Sequence, residues 1–156
     1  MDLLRRTVLK GAGASGVLAG LLATGMLKPT LAYANDWNKA AFEAKDFDVA
    51  LKAVGGDGAA ANTALVMKAP EIAENGAVVP IGAVSKIPGT ESIAILIERN
   101  PTALAASFDI PAGTEPAVST RVKMAETSDV YVLVKAQGKY YTTKTEIKVT
   151  IGGCGG

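Results

Sequence analysis

Histidine is absent from this chain of 156 residues, and cysteine occurs once, as Cys154. Catalysis by Ser-His-Asp or Cys-His groups needs an imidazole that accepts a proton near neutral pH, so both mechanisms are excluded. One thiolate also cannot supply the three or four soft ligands of a zinc or copper site. Carboxylate-only calcium or magnesium sites stay open, although the sequence has no Asp-rich loop of the EF-hand kind. We therefore expect no catalytic residue, no metal and no other cofactor.

Aromatic residues make up only 5% of the chain, whereas hydrophobic residues make up 49% and charged residues 20%. The apolar residues are mainly Ala, Val and Ile, a composition that is typical of one globular domain built on sheet packing. The formal net charge is +1, and the basic residues form no clustered stripe. A nucleic-acid partner is therefore not expected.

The first 34 residues have the pattern of an export signal. The twin arginines Arg5 and Arg6 precede an uncharged stretch, rich in Gly, Ala and Leu, over residues 11–27. This arrangement resembles a twin-arginine signal peptide. The stretch is shorter and richer in glycine than a membrane span, which needs about 20 strongly apolar residues. We expect a cleaved signal and no stable membrane association, and an uncleaved anchor is the alternative.

Small residues at Ala32 and Ala34 form an A-x-A pattern, which predicts cleavage after Ala34. Residues 1–34 hold four of the 16 basic residues and one of the 15 acidic residues, so 12 basic and 14 acidic residues remain. The mature chain would have a net charge of about −2 and act in the periplasm. That compartment is oxidising, so an unpaired cysteine there forms an intermolecular bond or marks a reactive site.

Two short helices are predicted at the start of the mature chain, from Asp36. Apolar residues recur there at helical spacing in two groups: Trp37, Ala41 and Ala44, and then Phe47, Ala50, Leu51 and Val54. Asp46 can cap the second helix, and Gly55-Gly56 can end it. We expect the aromatic side chains of Trp37, Phe42 and Phe47 to pack against a sheet.

After the loop "GGDGAAANT" the sequence changes to short β-branched runs separated by Pro, Gly and Asn, which indicates a mainly β fold. We expect an immunoglobulin-like antiparallel β-sandwich of about seven strands. They span Ala64–Lys68, Ala77–Val84, Ser92–Glu98, Ala103–Phe108, Ala117–Met124, Val130–Ala136 and Tyr140–Ile151. Alternation in the fifth strand predicts a buried face with Val118, Thr120, Val122 and Met124, and a solvated face with Ser119, Arg121 and Lys123.

Gln137-Gly138 lies between the last two predicted strands and predicts a hairpin. In the last strand we expect an inward face with Ile147, Val149 and Ile151, and an outward face with Glu146, Lys148 and Thr150. Ile151 would then anchor the chain end, because burial of such a side chain contributes roughly 1.5–3 kcal/mol. The sequence thus predicts a signal peptide (residues 1–34), a β-sandwich domain with N-terminal helices (residues 35–151) and a tail (residues 152–156).

The tail reads "GGCGG", with Cys154 between Gly152, Gly153, Gly155 and Gly156. Glycine has no side chain to pack and loses the most conformational entropy on ordering, so we expect a flexible arm. At about 3.3–3.6 Å per residue, the thiol would reach roughly 10 Å beyond the end of the last strand. Such an arm is suited to presenting one nucleophile to the active sites of other proteins.

Other uses of a terminal cysteine stay open on these residues. Cys154 could form a disulfide that dimerises a structural periplasmic protein, or it could be incidental. A small redox protein is a further alternative, although a C-x-x-C dithiol is missing. Ubiquitin-like sulfur carriers share only the terminal Gly155-Gly156, and prenylation would need the cysteine fourth from the end.

The twin-arginine signal, the segment "WNKAAFEAKDFDVALKAVGG", the β-rich body and the terminal "GGCGG" together resemble the SoxY family, the sulfur-binding subunits of the SoxYZ carrier in thiosulfate oxidation. The likeness covers essentially the whole chain, and the terminal motif combined with export is its most specific part. The resemblance implies an immunoglobulin-like β-sandwich that pairs with SoxZ, a second small β-sandwich protein without its own export signal. Export of folded cargo by the twin-arginine route fits such a pair.

The resemblance also implies the chemistry of Cys154. The SoxXA cytochrome joins the thiol to thiosulfate as an S-thiosulfonate, SoxB hydrolyses off sulfate to leave a persulfide, and SoxCD, where present, oxidises the outer sulfur. The chain would be a covalent carrier on which other enzymes act, not an enzyme. A free cysteine thiol has a pKa of about 8.5, and the nearest basic residue to the arm is Lys148. We therefore expect the partner enzyme to promote ionisation of the thiol.

Overall fold

The computed structural model describes residues 38–151. Outside the described residues lie the predicted signal peptide with Arg5, Arg6, Ala32 and Ala34, the predicted core residue Trp37, and the predicted arm at residues 152–156. The helices are α1 (Lys39–Glu43) and α2 (Phe47–Ala53). The strands are β1 (Ala60–Ala61), β2 (Leu65–Lys68), β3 (Ile72–Ala73), β4 (Val79–Ser85), β5 (Thr90–Ile97), β6 (Leu104–Asp109), β7 (Ala117–Val122), β8 (Ser128–Ala136) and β9 (Lys139–Val149). None of the described helices has the length and apolar character needed to cross a membrane.

Each helix begins at a side chain that caps its first turn. The Ala41 amide donates a hydrogen bond to Asn38 Oδ1 at 3.1 Å, and the Val49 amide donates to Asp46 Oδ1 at 3.1 Å. These bonds satisfy backbone donors that have no partner within the helix. The predicted cap at Asp46 is confirmed, whereas α1 begins at Lys39, later than the sequence pattern predicts.

Helix α2 ends in a Schellman motif. Gly55 has a φ of +80°, and its amide donates to the Lys52 carbonyl at 2.9 Å while the Gly56 amide donates to the Leu51 carbonyl at 2.8 Å. The left-handed position strongly favours glycine because it has no Cβ. The predicted stop at Gly55-Gly56 is therefore confirmed.

The strands form two sheets that pack as a sandwich. The larger sheet has the order β1-β9-β8-β5-β6, with β3 also paired to β9, and the smaller sheet has the order β2-β4-β7. All seven predicted strands are present, with ends that shift by at most two residues. The mainly β, sandwich-like fold with short N-terminal helices is confirmed. Strands β1 and β3 are additional, and both pair with β9 in parallel, so the larger sheet is not purely antiparallel.

Strand β5 is buried on both of its faces because it lies between two hydrophobic layers. Ile93, Ile95 and Ile97 face the core between the two sheets. Ala94 and Leu96 face the layer that contains the helices. Phe42 and Phe47 are half-buried in that second layer, and the Phe47 ring centroid lies 4.7 Å from that of Tyr131. Their predicted packing against a sheet is confirmed.

Two local predictions, one from alternation and one from a turn sequence, are also confirmed. In and just after β7, Val118 and Thr120 are half-buried and Val122 and Met124 are buried, whereas Ser119, Arg121 and Lys123 are exposed. Between β8 and β9, Gln137 and Gly138 have φ values of +52° and +70°. Both angles are typical of a two-residue type I′ turn, which matches the twist of the flanking strands. The predicted hairpin is confirmed.

A salt bridge ties this hairpin to β5. Lys135 Nζ lies 2.9 Å from Glu91 Oε2, and the Gly138 amide donates to Glu91 Oε1 at 3.3 Å. The hydrogen bond from Lys135 holds the pKa of Glu91 below its ordinary value of 4.5. The same contact raises the pKa of Lys135. Both side chains are partly exposed, so the pair contributes little free energy.

We expect Glu91→Gln to destabilise the domain slightly at pH 7 and not at about pH 2. A lowered folded-state pKa means that the carboxylate's contribution is complete above the unfolded value and is lost as the pH falls through the folded value. Urea unfolding of both proteins at the two pH values measures the difference. The exposed Glu115→Gln is the control, and an equal loss for Glu91→Gln at both pH values would refute the assignment.

Candidate functional site: the root of the C-terminal tail

The predicted site residue Cys154 and its neighbours Gly152, Gly153, Gly155 and Gly156 lie outside the described residues. The structure instead defines the point from which the tail leaves the domain. We call residues 148–151 the tail root. It comprises the last two residues of β9 and the two residues that follow. Its contacts decide whether the tail starts from a fixed position.

One side of the tail root is bonded to residues 71–76. Strand β3 pairs in parallel with the end of β9, with Ile72 opposite Lys148 and Ala73 opposite Val149. Three backbone hydrogen bonds follow one another along the root: Lys148 N to Glu71 O at 3.0 Å, Thr150 N to Ala73 O at 3.1 Å, and Gly76 N to Ile151 O at 2.7 Å. The Thr150 hydroxyl also donates to the Glu74 carbonyl at 2.8 Å. Backbone bonding thus continues to the last described residue.

The root is also held by a hydrogen bond to Thr127 and by the buried residue that precedes it. The Val149 amide donates to Thr127 Oγ1 at 2.9 Å. Ile147, just before the root, is fully buried in the core between the sheets. The segment 71–76, which is bonded to the root, is itself held in place because the Met124 amide donates a hydrogen bond to the Gly76 carbonyl at 2.7 Å. The domain therefore presents Ile151 at a defined position.

Ile151 itself does not anchor the chain through its side chain. It is 68% exposed, and β9 ends before it, at Val149. The prediction that Ile151 points inward is wrong, whereas the inward positions of Ile147 and Val149 are confirmed. Glu146, Lys148 and Thr150 are exposed, as predicted. Alternation predicts side-chain direction only within a regular strand, and beyond Val149 the hydrogen bonds of the root replace side-chain burial.

Several exposed apolar residues lie in the root or in the segment next to it. Three of the four exposed large hydrophobic residues in the described part of the chain are Ile72 at 58%, Val78 at 54% and Ile151 at 68%. Ile72 belongs to the segment bonded to the root, and the Val78 amide donates to the Asn75 carbonyl at 3.3 Å just beyond it. Single exposed apolar residues are normal on protein surfaces, and here three of them lie in the root, in the segment bonded to it or just beyond that segment.

A polar cleft of about 220 Å³ adjoins the root at Thr127 and is also lined by Glu98, Arg99, Ser128, Asp129 and Glu146. Lys144 Nζ lies 2.6 Å from Asp129 Oδ2, and this hydrogen bond raises the pKa of Lys144. Desolvation raises the pKa of Tyr131 beside it. Within residues 38–151, no group of three or more acidic or cysteine side chains is placed to hold a metal ion.

Sequence reasoning found the tail but not the residues that hold its root. Residues 71–76 contain a strand of two residues, which is too short to show alternation. Thr127 acts through one hydroxyl in a loop, and no periodic pattern marks such a residue. Only the Pro/Gly/Asn punctuation of this region could have suggested a turn next to the last strand.

Comparison with known proteins identifies the family. The family model for the sulfur oxidation protein SoxY matches residues 51–154. The solved structure of the sulfur carrier protein SoxY from Chlorobium limicola f. thiosulfatophilum is 42% identical, with a TM-score of 0.62, over 72% of this chain and 99% of that chain. A structure concerning T cell specificity and activation by the bacterial superantigen toxic shock syndrome toxin-1 matches at 13% identity and a TM-score of 0.38, over 55% of this chain and 98% of that one.

The superantigen likeness is too weak to carry an argument, and no protein with a curated function matches the chain. The SoxY likeness is of a different order. The family model covers more than half of the chain, and the Chlorobium protein is matched along nearly its whole length. This chain therefore belongs to the SoxY family of sulfur oxidation proteins.

Proposed function

We propose that this chain is a periplasmic carrier that holds thiosulfate-derived sulfur on Cys154 while partner enzymes act on it. The observation that carries the proposal is that the family match extends to residue 154, the position of the only cysteine in the chain. The similar Chlorobium protein is itself described as a sulfur carrier. Export would use Arg5 and Arg6, with cleavage after Ala34.

Family membership supports the partners that we propose. SoxZ would be the second subunit of the carrier, and the SoxXA cytochrome and the SoxB hydrolase would act in turn on the arm. SoxCD would act where it is present. In this scheme the chain contributes one thiol and a folded domain that holds the base of the tail, which agrees with a sequence that has no histidine. We assign it no catalytic residue and no cofactor of its own.

The proposed chemistry balances without any group from the domain. The Cys154 thiolate and thiosulfate are joined by a sulfur–sulfur bond, and the two electrons released pass to the cytochrome. Water then attacks the terminal sulfonate sulfur of the S-thiosulfonate. Sulfate and two protons leave, and the cysteine retains a persulfide. In each step the carrier supplies only a sulfur atom, which must reach the active site of another protein.

The fixed root and the short tail together set the working distance. Two residues, Gly152 and Gly153, separate Ile151 from Cys154, so three extended residue steps place the Cys154 α-carbon within roughly 10 Å of the Ile151 α-carbon. An enzyme that acts on this thiol must bring its active site within that distance of Ile151. Glycine on both sides of the cysteine would let the tail enter a narrow channel, since it adds no side-chain width.

The thiol of the isolated carrier should titrate near the value of a free cysteine. The tail contains no Lys or Arg, and ionisation of a thiol is favoured chiefly by a nearby positive charge or a helix N-terminus. The rate of alkylation of the mature chain, followed from pH 6 to 10, measures this pKa, with glutathione as the reference thiol. A pKa far below 7 would show that the carrier activates its own cysteine.

The proposal itself is tested by intact mass after the mature chain is incubated with thiosulfate and SoxXA. An S-thiosulfonate on the C-terminal peptide is expected. A disulfide-linked dimer without the adduct would instead favour a structural protein dimerised through Cys154.

A further inference from the structure

The outer face of the smaller sheet is uncovered in the described part of the chain. The two described helices pack on the larger sheet. The register of β2, β4 and β7 places eight residues on this outer face: Val66, Val84 and Ala117 in one row, Lys68, Gly82 and Ser119 in the next, and Pro80 beside Arg121. We call these eight residues the outer face.

The composition of the outer face is unusual for a surface in water. An antiparallel sheet with one solvated side normally alternates apolar and polar residues. The central strand β4 instead has Pro80, Gly82 and Val84 at its outward positions, so the whole strand reads "VPIGAVS" with one polar residue at its end. Such a run is typical of a strand that is covered on both sides.

A shallow cleft of about 570 Å³ lies on this face, lined mainly by its own residues and by Ala69 and Pro70. Gly82 forms the floor, because it has no side chain at the centre of the sheet. A Cβ built at Gly82 would lie 3.4 Å from Lys68 Cβ and 3.7 Å from the Val118 carbonyl oxygen, which are ordinary contacts. The cleft can therefore receive a side chain from outside, and a larger residue at position 82 can block it without disrupting the sheet.

The charges on this face have one sign. Strands β2, β4 and β7 contain Lys68 and Arg121 and no acidic residue, and Lys86 and Lys123 follow β4 and β7 directly. Within residues 38–151, none of these four cations forms a salt bridge. A second copy of this chain placed face to face would bring like charges together, whereas carboxylates would complement them.

We infer that the outer face is the docking surface for a second protein subunit, one that presents an apolar centre with carboxylates opposite Lys68 and Arg121. The identity of that subunit rests on the proposed function, which pairs this chain with SoxZ, and SoxZ is therefore the probe. An apolar centre with charged residues at its rim is the usual anatomy of a protein interface.

Two substitutions test the apolar centre. Val84→Arg and Gly82→Arg each place a long charged side chain in the cleft, and we expect each to weaken SoxZ binding at least about tenfold in titration calorimetry with the mature chain. Val49→Arg is the matched control, because Val49 is a 55% exposed valine on α2, in the opposite layer. It should bind SoxZ within about twofold of the parent chain. Circular dichroism melting checks that each variant is folded.

The double charge reversal Lys68→Glu with Arg121→Glu tests the rim. Both side chains are exposed, so the fold should tolerate the change. Reversal of rim charges acts mainly on the association rate and its salt dependence. We expect slower association than that of the parent chain and a weaker, or inverted, effect of added salt.

Several outcomes would overturn the inference. These are wild-type affinity of both Val84→Arg and Gly82→Arg, a loss confined to Val49→Arg, no binding of SoxZ to the parent chain, or a homodimer that Val84→Arg dissociates. Loading of Cys154, measured by intact mass on the same preparations, separates this inference from the proposed function. Face-dependent SoxZ binding without an adduct refutes the proposed function alone, and an adduct with face-independent binding refutes the inference alone.

Discussion

Cys154→Ser is expected to abolish covalent loading by thiosulfate completely. Cys154 is the only sulfur nucleophile with a thiol in the chain, and a serine hydroxyl cannot form a sulfur–sulfur bond. Intact mass of the variant after incubation with thiosulfate and SoxXA should equal the mass before it. In the parent chain, fragmentation should locate the adduct on the C-terminal peptide.

The same variant should keep the stability of the parent chain. The tail root is held by backbone hydrogen bonds and by the hydroxyls of Thr127 and Thr150, and none of these contacts involves Cys154. Urea unfolding of the two proteins should give midpoints that coincide within error. The control is the parent chain alkylated at its thiol, which should also fail to load and remain folded. Adduct formation on Cys154→Ser, or its unfolding, would contradict the carrier proposal, the latter by indicating a structural thiol.

The longer elements of the fold are predictable because a period of two or 3.6 repeats often enough to be read. Strand β7 shows this, since sequence alternation alone separates its inward residues from its outward residues. Local chemistry works equally well at chain reversals. Asp46 and Gly55 occupy positions whose hydrogen bonds and backbone angles favour those residue types.

The short strands β1 and β3 are not predictable in this way. Each has two residues, so the alternation with a period of two does not recur within either strand. Both form only because β9 provides an edge to pair with, which depends on residues far away in the chain. The contacts of the tail root are therefore also not predictable from sequence, because β3 pairs with the root.

The candidate site residue Cys154 is identifiable from sequence, whereas the contacts of the tail root are not. Cys154 stands out from sequence because it is a lone thiol among glycines, and the family match reaches it. The error at Ile151 arises from extending a regular alternation past Val149, where strand β9 ends. Alternation thus predicts side-chain direction only as far as the strand continues. Where a strand ends is decided by its pairing with distant segments of the chain.

Ile147→Ala and Ile151→Ala should separate the stability of the domain from the function of the tail. Ile147 is fully buried, and replacement of a buried isoleucine by alanine costs about 2–5 kcal/mol through lost burial and the cavity that remains. Ile151 is 68% exposed, so its replacement should change the free energy of unfolding by less than about 0.5 kcal/mol. Urea unfolding of the two variants and the parent chain measures both values.

The loading assay adds the functional half of this comparison. Under conditions where Ile147→Ala is folded, its Cys154 should load to the same extent as in the parent chain, because the substitution leaves the thiol and the backbone bonds of the root in place. A decrease of several kcal/mol in the free energy of unfolding of Ile151→Ala would show that the Ile151 side chain does anchor the chain end, contrary to its exposure in the structure. The expected results together would show that stability depends on Ile147, before the root, and that sulfur loading in the proposed function depends on Cys154, after it.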